Sequence, residues 1–154
     1  MAKLQLYAIF ANILTPSSDT HFLESNNDDW CLIMNWMKEN LVKEKSYAFA
    51  LMAIELYKLL LSKNEYVLSK QFLRSVTSIG ANVEEALAGY SKKDFAAKMS
   101  IASKEARETL YWLKLIEAGK FVEYDFTVLK VESERLIKIL TSIVKTSQLK
   151  INNQ

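Results

Sequence analysis

The chain predicts an all-α fold, four helices folded back on one another as an up-down-up-down bundle. Half of its 154 residues are hydrophobic and a quarter are charged, enough to bury one core without a disulfide or a metal. Only three glycines and one proline occur, and Pro16 stands near the start, so the chain from about residue 38 onward is almost free of helix breakers. Four successive runs there repeat apolar residues at three- and four-residue steps. Helices of about 20 residues are about 30 Å long, and linkers of a few residues leave neighbours antiparallel.

The first run spans about Leu41 to Ser62. Phe49, Met52, Leu56 and Leu59 form one stripe, and Tyr47, Leu51, Ile54 and Leu61 form a second. A helix apolar on two sides needs two neighbours. Lys63 and Asn64 break the run, and the second helix follows from about Glu65 to Leu87 with the stripe Leu68, Phe72, Val76, Ile79, Val83 and Ala86. Gly80 in its interior costs about 1 kcal/mol relative to alanine unless a neighbouring backbone uses the space, so it marks either a close helix contact or a tolerated cost.

Ser91 with Asp94 three residues on has the spacing of a capping box at the start of helix three. Phe95, Met99, Ala102, Ala106, Leu110, Leu113 and Ile116 are its stripe, and Gly119 stands where a left-handed cap is expected. Helix four begins near Asp125, and Phe126, Leu129, Ser133, Leu136, Leu140 and Ile143 repeat as a heptad pattern. The bundle is expected over residues 37–147, followed by a polar tail, 148–154.

Residues 1–36 stand outside the pattern. Thr15 to Asp29 is polar and turn-forming, while Trp30, Leu32, Ile33 and Trp36 make a short apolar patch. This segment is either an appendage that packs on the bundle or a partner, or a product of start-site choice, with Met34 and Met37 as alternative starts. Leu4 to Leu14, interrupted by Gln5 and Asn12, is too short for a spanning helix and lacks a clear cleavage site, so neither membrane insertion nor secretion is expected. The single cysteine, Cys31, rules out an internal disulfide and fits a reducing compartment.

Charge divides unevenly. Residues 1–37 hold one basic and four acidic side chains, net −3, leaving 19 basic and 14 acidic in residues 38–154, net +5. The helical part is mildly basic, which permits an anionic partner.

Two polar patterns on the helices are candidate sites. On helix two, Gln71, Ser75, Ser78, Asn82 and Glu85 recur beside the apolar stripe. Such a seam fixes register at a subunit boundary, ties helix two to helix three, or faces water. On helix three, Lys93, Ala97, Ser100, Lys104, Arg107, Tyr111 and Lys114 fall on one strip. Its four cations suit phosphates and its tyrosine suits stacking on an unpaired base, the alternative being an ordinary solvated face beside Asp94, Glu105 and Glu108.

Catalytic patterns are missing. Glu84, Glu85, Glu105 and Glu108 lack the Glu-x-x-His partners of bundle di-iron sites, because residues 38–154 contain no histidine, no cysteine and no glycine-rich phosphate loop. No metal, cofactor or enzymatic activity is expected. Most aromatic residues, among them Tyr57 and Trp112, occupy stripe positions suited to a core or an interface.

Three segments, KEKSYAFALMAIELYKLL on helix one, LSKQFLRSVTSIGANVEEA on helix two and SKKDFAAKMSIASKEARETLYWL on helix three, resemble a known family. It comprises small bacterial four-helix-bundle proteins named for reading frames in intervening sequences of 23S ribosomal RNA genes. The resemblance covers about Met37 to Lys145. It implies a left-handed bundle, a ring-like homopentamer, a cytoplasmic location and no established enzymatic activity. The family is close to accessory proteins of diversity-generating retroelements, which bind a reverse transcriptase and nucleic acid. The expected role is therefore binding or scaffolding of RNA by a homo-oligomer, and the alternative is a module that docks a polymerase-type protein.

Overall fold

The computed structural model describes residues 27–152, with side chains from Leu41 onward. It contains four helices, α1 (Asn27–Ser62), α2 (Leu68–Leu87), α3 (Lys92–Gly119) and α4 (Thr127–Asn152), and no strand among the described residues. The fold is all-α. The chain divides into two units at Met34; the described part of the first is the opening turns of α1, and the core belongs to the second. The Leu4 to Leu14 run, Pro16 and His21 lie outside the described residues.

Helix α1 starts at Asn27 rather than near Leu41, inside the stretch read as a separate extension. No proline or glycine interrupts residues 27–62. At the other end, α4 continues through the expected polar tail to Asn152. Polarity alone does not stop a helix when no breaker follows.

One stripe per helix builds the core. Phe72, Val76, Ile79 and Val83 of α2, Met99, Ala102, Ala106, Leu113 and Ile116 of α3, and Leu129, Leu136, Leu140 and Ile143 of α4 are all buried in a single cluster. Each fully buried large apolar side chain contributes about 1.5–3 kcal/mol. Leu68, Phe95 and Leu110, expected with them, are only partly buried. On α1 the buried row is Val42, Phe49, Ala53, Leu56 and Leu60. Met52 and Leu59 sit at its margin, and the second stripe stays at the surface, with Tyr47 68% and Leu51 50% exposed. The two-sided reading of α1 thus becomes a single buried side plus an uncovered apolar face.

Glycine positions depart from expectation. A Cβ on Gly80 would meet only Ser46 Oγ at 3.9 Å, an ordinary contact, so no close backbone approach depends on this residue. Gly119 is the last helical residue, and the left-handed residue after it is Lys120, at φ 52° and ψ 37°. Gly119 instead makes room for the Phe121 ring, which an added Cβ would strike.

Side chains cap the helices. The Asp94 N–H donates to Ser91 Oγ at 3.1 Å, as the capping spacing predicts, and the Thr127 N–H donates to Asp125 Oδ1 at 2.9 Å. Hydrogen bonds from the Thr127 hydroxyl and N–H hold the Asp125 carboxyl below the usual carboxylate range. At the start of α2, not anticipated from the sequence, the Glu65 carboxylate accepts from the N–H groups of Val67, Leu68 and Ser69 at 3.0, 2.8 and 2.6 Å. Burial alone would raise the Glu65 carboxyl. The N–H groups of Leu68, Ser69 and Val67 outweigh it and hold the group below the usual range.

Glu65→Ala is therefore expected to cost about 1 kcal/mol by chemical denaturation, within the range for removal of a cap. A folded-state pKa below the unfolded value gives stability that is present above the unfolded pKa and lost as pH falls through the folded one. The difference between wild type and Glu65→Ala should accordingly hold at neutral pH and shrink below about pH 4.

Candidate nucleic-acid interface

Helix α3 has its apolar stripe against α2 and α4, which leaves the opposite strip to water. Lys93, Lys104, Arg107, Tyr111 and Lys114 are all exposed along it, with Ala97 exposed and Ser100 partly covered between them. The strip read from the sequence exists as one surface row. Lys93, Lys104 and Lys114 take part in no ion pair among the described residues.

Arg107 differs from the lysines. Its Nη1 donates to the Ser103 carbonyl at 2.8 Å and to Ser103 Oγ at 2.6 Å, and its Nη2 donates to Thr141 Oγ1 of α4 at 2.9 Å. The guanidinium is a clamp between α3 and α4 that keeps its charge at the surface. Nothing in the three- and four-residue spacing distinguished it from the lysines, because its partner is 34 residues away.

Tyr111 is 57% exposed and meets the neighbouring Trp112 edge-on, with ring centroids 5.0 Å apart and planes at 67°. The Trp112 Nε1–H donates to Glu108 Oε1 at 3.0 Å, which holds the indole. In such a pair the edge of one ring rests on the face of the other. Of the acidic residues weighed against this strip, Glu108 is thus engaged with Trp112, and Glu105 is half-buried.

The seam on α2 splits between two roles. Ser75 is buried; its Oγ donates to the Phe72 carbonyl at 2.9 Å and accepts from Thr109 Oγ1 of α3 at 2.9 Å. Glu85 is exposed and pairs with Lys98 of α3. That hydrogen bond first, and then the Glu85 and Asp94 charges, hold the Lys98 ammonium above its usual range against the effect of burial. Asn82 is half-buried and turns back on its own helix, donating to the Ser78 carbonyl at 2.9 Å and to Ser78 Oγ at 3.2 Å. Gln71 is half-buried beside them. At Ser75 and Glu85 the seam ties α2 to α3. Gln71, Ser78 and Asn82 are partly buried and make no hydrogen bond to α3 among the described residues.

Further links between helices are Lys43 to Glu84 at 3.0 Å, Lys45 to Glu132 at 3.6 Å and Lys130 to Glu117 at 2.7 Å. Among the described residues no group of histidine, cysteine, aspartate or glutamate is placed to hold a metal ion. No described helix is long and apolar enough to cross a membrane.

The profile of the family described as 23S rRNA-intervening sequence protein matches residues 38–142. The chain belongs to that family. Among curated proteins none matches. The fold is similar to a crystal structure from Bacteroides thetaiotaomicron, a protein with unknown function from the S23 ribosomal protein family, at 44% identity and a TM-score of 0.67. That similarity covers 70% of this chain and 98% of the other. In this intervening-sequence protein the matched residues contain the α3 strip and the whole α2 seam.

The Ser75 and Thr109 hydroxyls form a directed chain, Thr109 to Ser75 to the Phe72 carbonyl. Ser75→Ala leaves the buried Thr109 hydroxyl without its acceptor and should cost about 1–3 kcal/mol. Thr109→Val leaves Ser75 still donating to Phe72 and should cost less than Ser75→Ala. Urea denaturation of both variants measures the order.

Proposed function

We propose that this protein is a non-enzymatic, cytoplasmic, homo-oligomeric scaffold that binds RNA through the α3 strip. The observation that carries the reading is the row of Lys93, Lys104 and Lys114, exposed and outside any described ion pair, with the exposed Tyr111 ring among them. Phosphates are bound by such cations with little geometric demand, and a base stacks on an aromatic face. Arg107, fixed by Ser103 and Thr141, adds a positioned charge. The family description, an intervening sequence in 23S rRNA, agrees with an RNA context.

Self-assembly is the second part of the proposal. Tyr47 and Leu51 form an uncovered apolar face on α1, with Ile54 and Leu61 half-buried beside them. We infer that a second copy covers this face, and that the chain is an up-down-up-down, left-handed bundle assembled as a pentamer. Lys43, midway along α1, pairs with Glu84 near the far end of α2, and Lys98, near the start of α3, pairs with Glu85 near the end of α2, which supports alternating directions. A ring repeats the α3 strip in each subunit and turns weak contacts into avidity. The uncovered α1 face also supports a second reading, a module that docks a polymerase-type protein.

Two measurements test these readings. In the first, Lys104→Gln with Lys114→Gln should weaken RNA binding and lower the magnitude of the salt slope by about 0.7–0.9 for each phosphate no longer neutralised. Tyr111→Ala should weaken single-strand binding more than duplex binding. A purified protein that binds no RNA at low salt leaves the strip a solvated face and hands the role to protein docking. In the second, native mass spectrometry with and without nuclease should show several chains per particle, and Tyr47→Ser with Leu51→Ser should yield monomers of unchanged helicity.

A further inference from the structure

The Arg107 clamp brings a second row of cations beside the first. Thr141, which accepts from Arg107 Nη2, lies three residues after Lys138 and four before Lys145, so all three share one side of α4. Lys138 and Lys145 are exposed and take part in no ion pair among the described residues. Arg135, also exposed on α4, is paired with Glu132, and a second acidic residue, Glu134, stands four residues before Lys138. Neither lysine stands out in the sequence, because the heptad of α4 assigns them only to its polar side.

We infer that the nucleic-acid surface spans the α3–α4 groove, with Lys138 and Lys145 as phosphate contacts opposite Lys104 and Lys114, and that its ligand is single-stranded RNA. The inference rests on the RNA reading above and specifies both its second half and its substrate class. The two-row part of this surface in each chain is small. The α3 row covers about 32 Å from Lys93 to Lys114, its part beside the α4 lysines, from Lys104 to Lys114, covers about 15 Å, and packed helices lie about 8–10 Å apart. A patch of those dimensions holds a few nucleotides of one strand, whereas duplex readers reach across two minor grooves over about 16 base pairs. Tyr111, 57% exposed in the α3 row, suits stacking on an unpaired base.

The test is fluorescence anisotropy on the full chain, with a labelled oligouridylate of about 16 nucleotides and a perfect RNA hairpin as probes. Wild type is compared with Lys104→Gln/Lys114→Gln, with Lys138→Gln/Lys145→Gln, and with the exposed α2 pair Lys70→Gln/Arg74→Gln as a charge control. The α4 pair should lower the magnitude of the salt slope by roughly 1.4, at about 0.7 per phosphate on a single strand, and the α2 pair should leave it near wild type. Binding to the oligouridylate should exceed binding to the hairpin. An α4 pair that behaves like wild type or like the α2 control, while the α3 pair still weakens binding, overturns the two-helix groove and spares the α3 strip. A hairpin bound as tightly as the oligouridylate overturns the single-strand assignment. Unchanged binding in both the α3 and α4 pairs removes the RNA reading itself. Circular dichroism of each variant confirms the fold, which exposed Lys→Gln changes leave within about 0.5 kcal/mol.

Discussion

Small side chains at the contacts of α3 are the constraint on which the rest of the structure depends. Its buried side presents Ala96, Ala102, Ser103, Ala106 and Thr109 between Met99, Leu113 and Ile116. Neighbouring helices therefore come near its backbone, as Ser133 Oγ of α4 does at 3.4 Å from the Ala106 carbonyl. Side-chain hydroxyls in such a core must find partners inside it, and Ser75, Thr109 and Ser133 do so on backbone or on one another. The same packing turns the lysines of α3 outward. A larger residue on the buried side would push a neighbour away and with it the groove that Arg107 spans.

The helical elements were legible in the sequence because their information is local. Periodicity located α2, α3 and α4, and nearly every residue placed in their stripes is buried. The Ser91 to Asp94 cap is a three-residue matter and was equally readable. The exposed strip on α3 follows from the same geometry that buries its opposite side.

What stayed hidden depends on partners distant along the chain, or on competition between neighbours. Arg107 reads as one more cation until Thr141 is beside it. The polar seam of α2 admits several roles until Thr109 takes one member and Lys98 another. The spacing places Glu65 at the first residue of a helix, yet its carboxylate reaches forward to cap that helix from outside. The left-handed position falls on Lys120 and not on Gly119, whose missing side chain leaves room for Phe121. On α1 the sequence offers two apolar stripes, and only the burial pattern shows that the second lies uncovered within one chain.

The order of these contacts bears on how the chain acquires its structure. Lys43 with Glu84, Ser75 with Thr109 and Lys130 with Glu117 each join helices consecutive in sequence, across loops of a few residues. Contacts between sequence neighbours carry a small loop-closure cost, and helical proteins dominated by them fold in microseconds to milliseconds. A chain emerging from the ribosome can therefore pair α1 with α2, then add α3, before its last helix has been made. The Lys45 to Glu132 pair, which joins the first helix to the last, must wait for the end of synthesis. Until then the apolar flank that α4 will cover remains open, and the interval is set by the rate of translation.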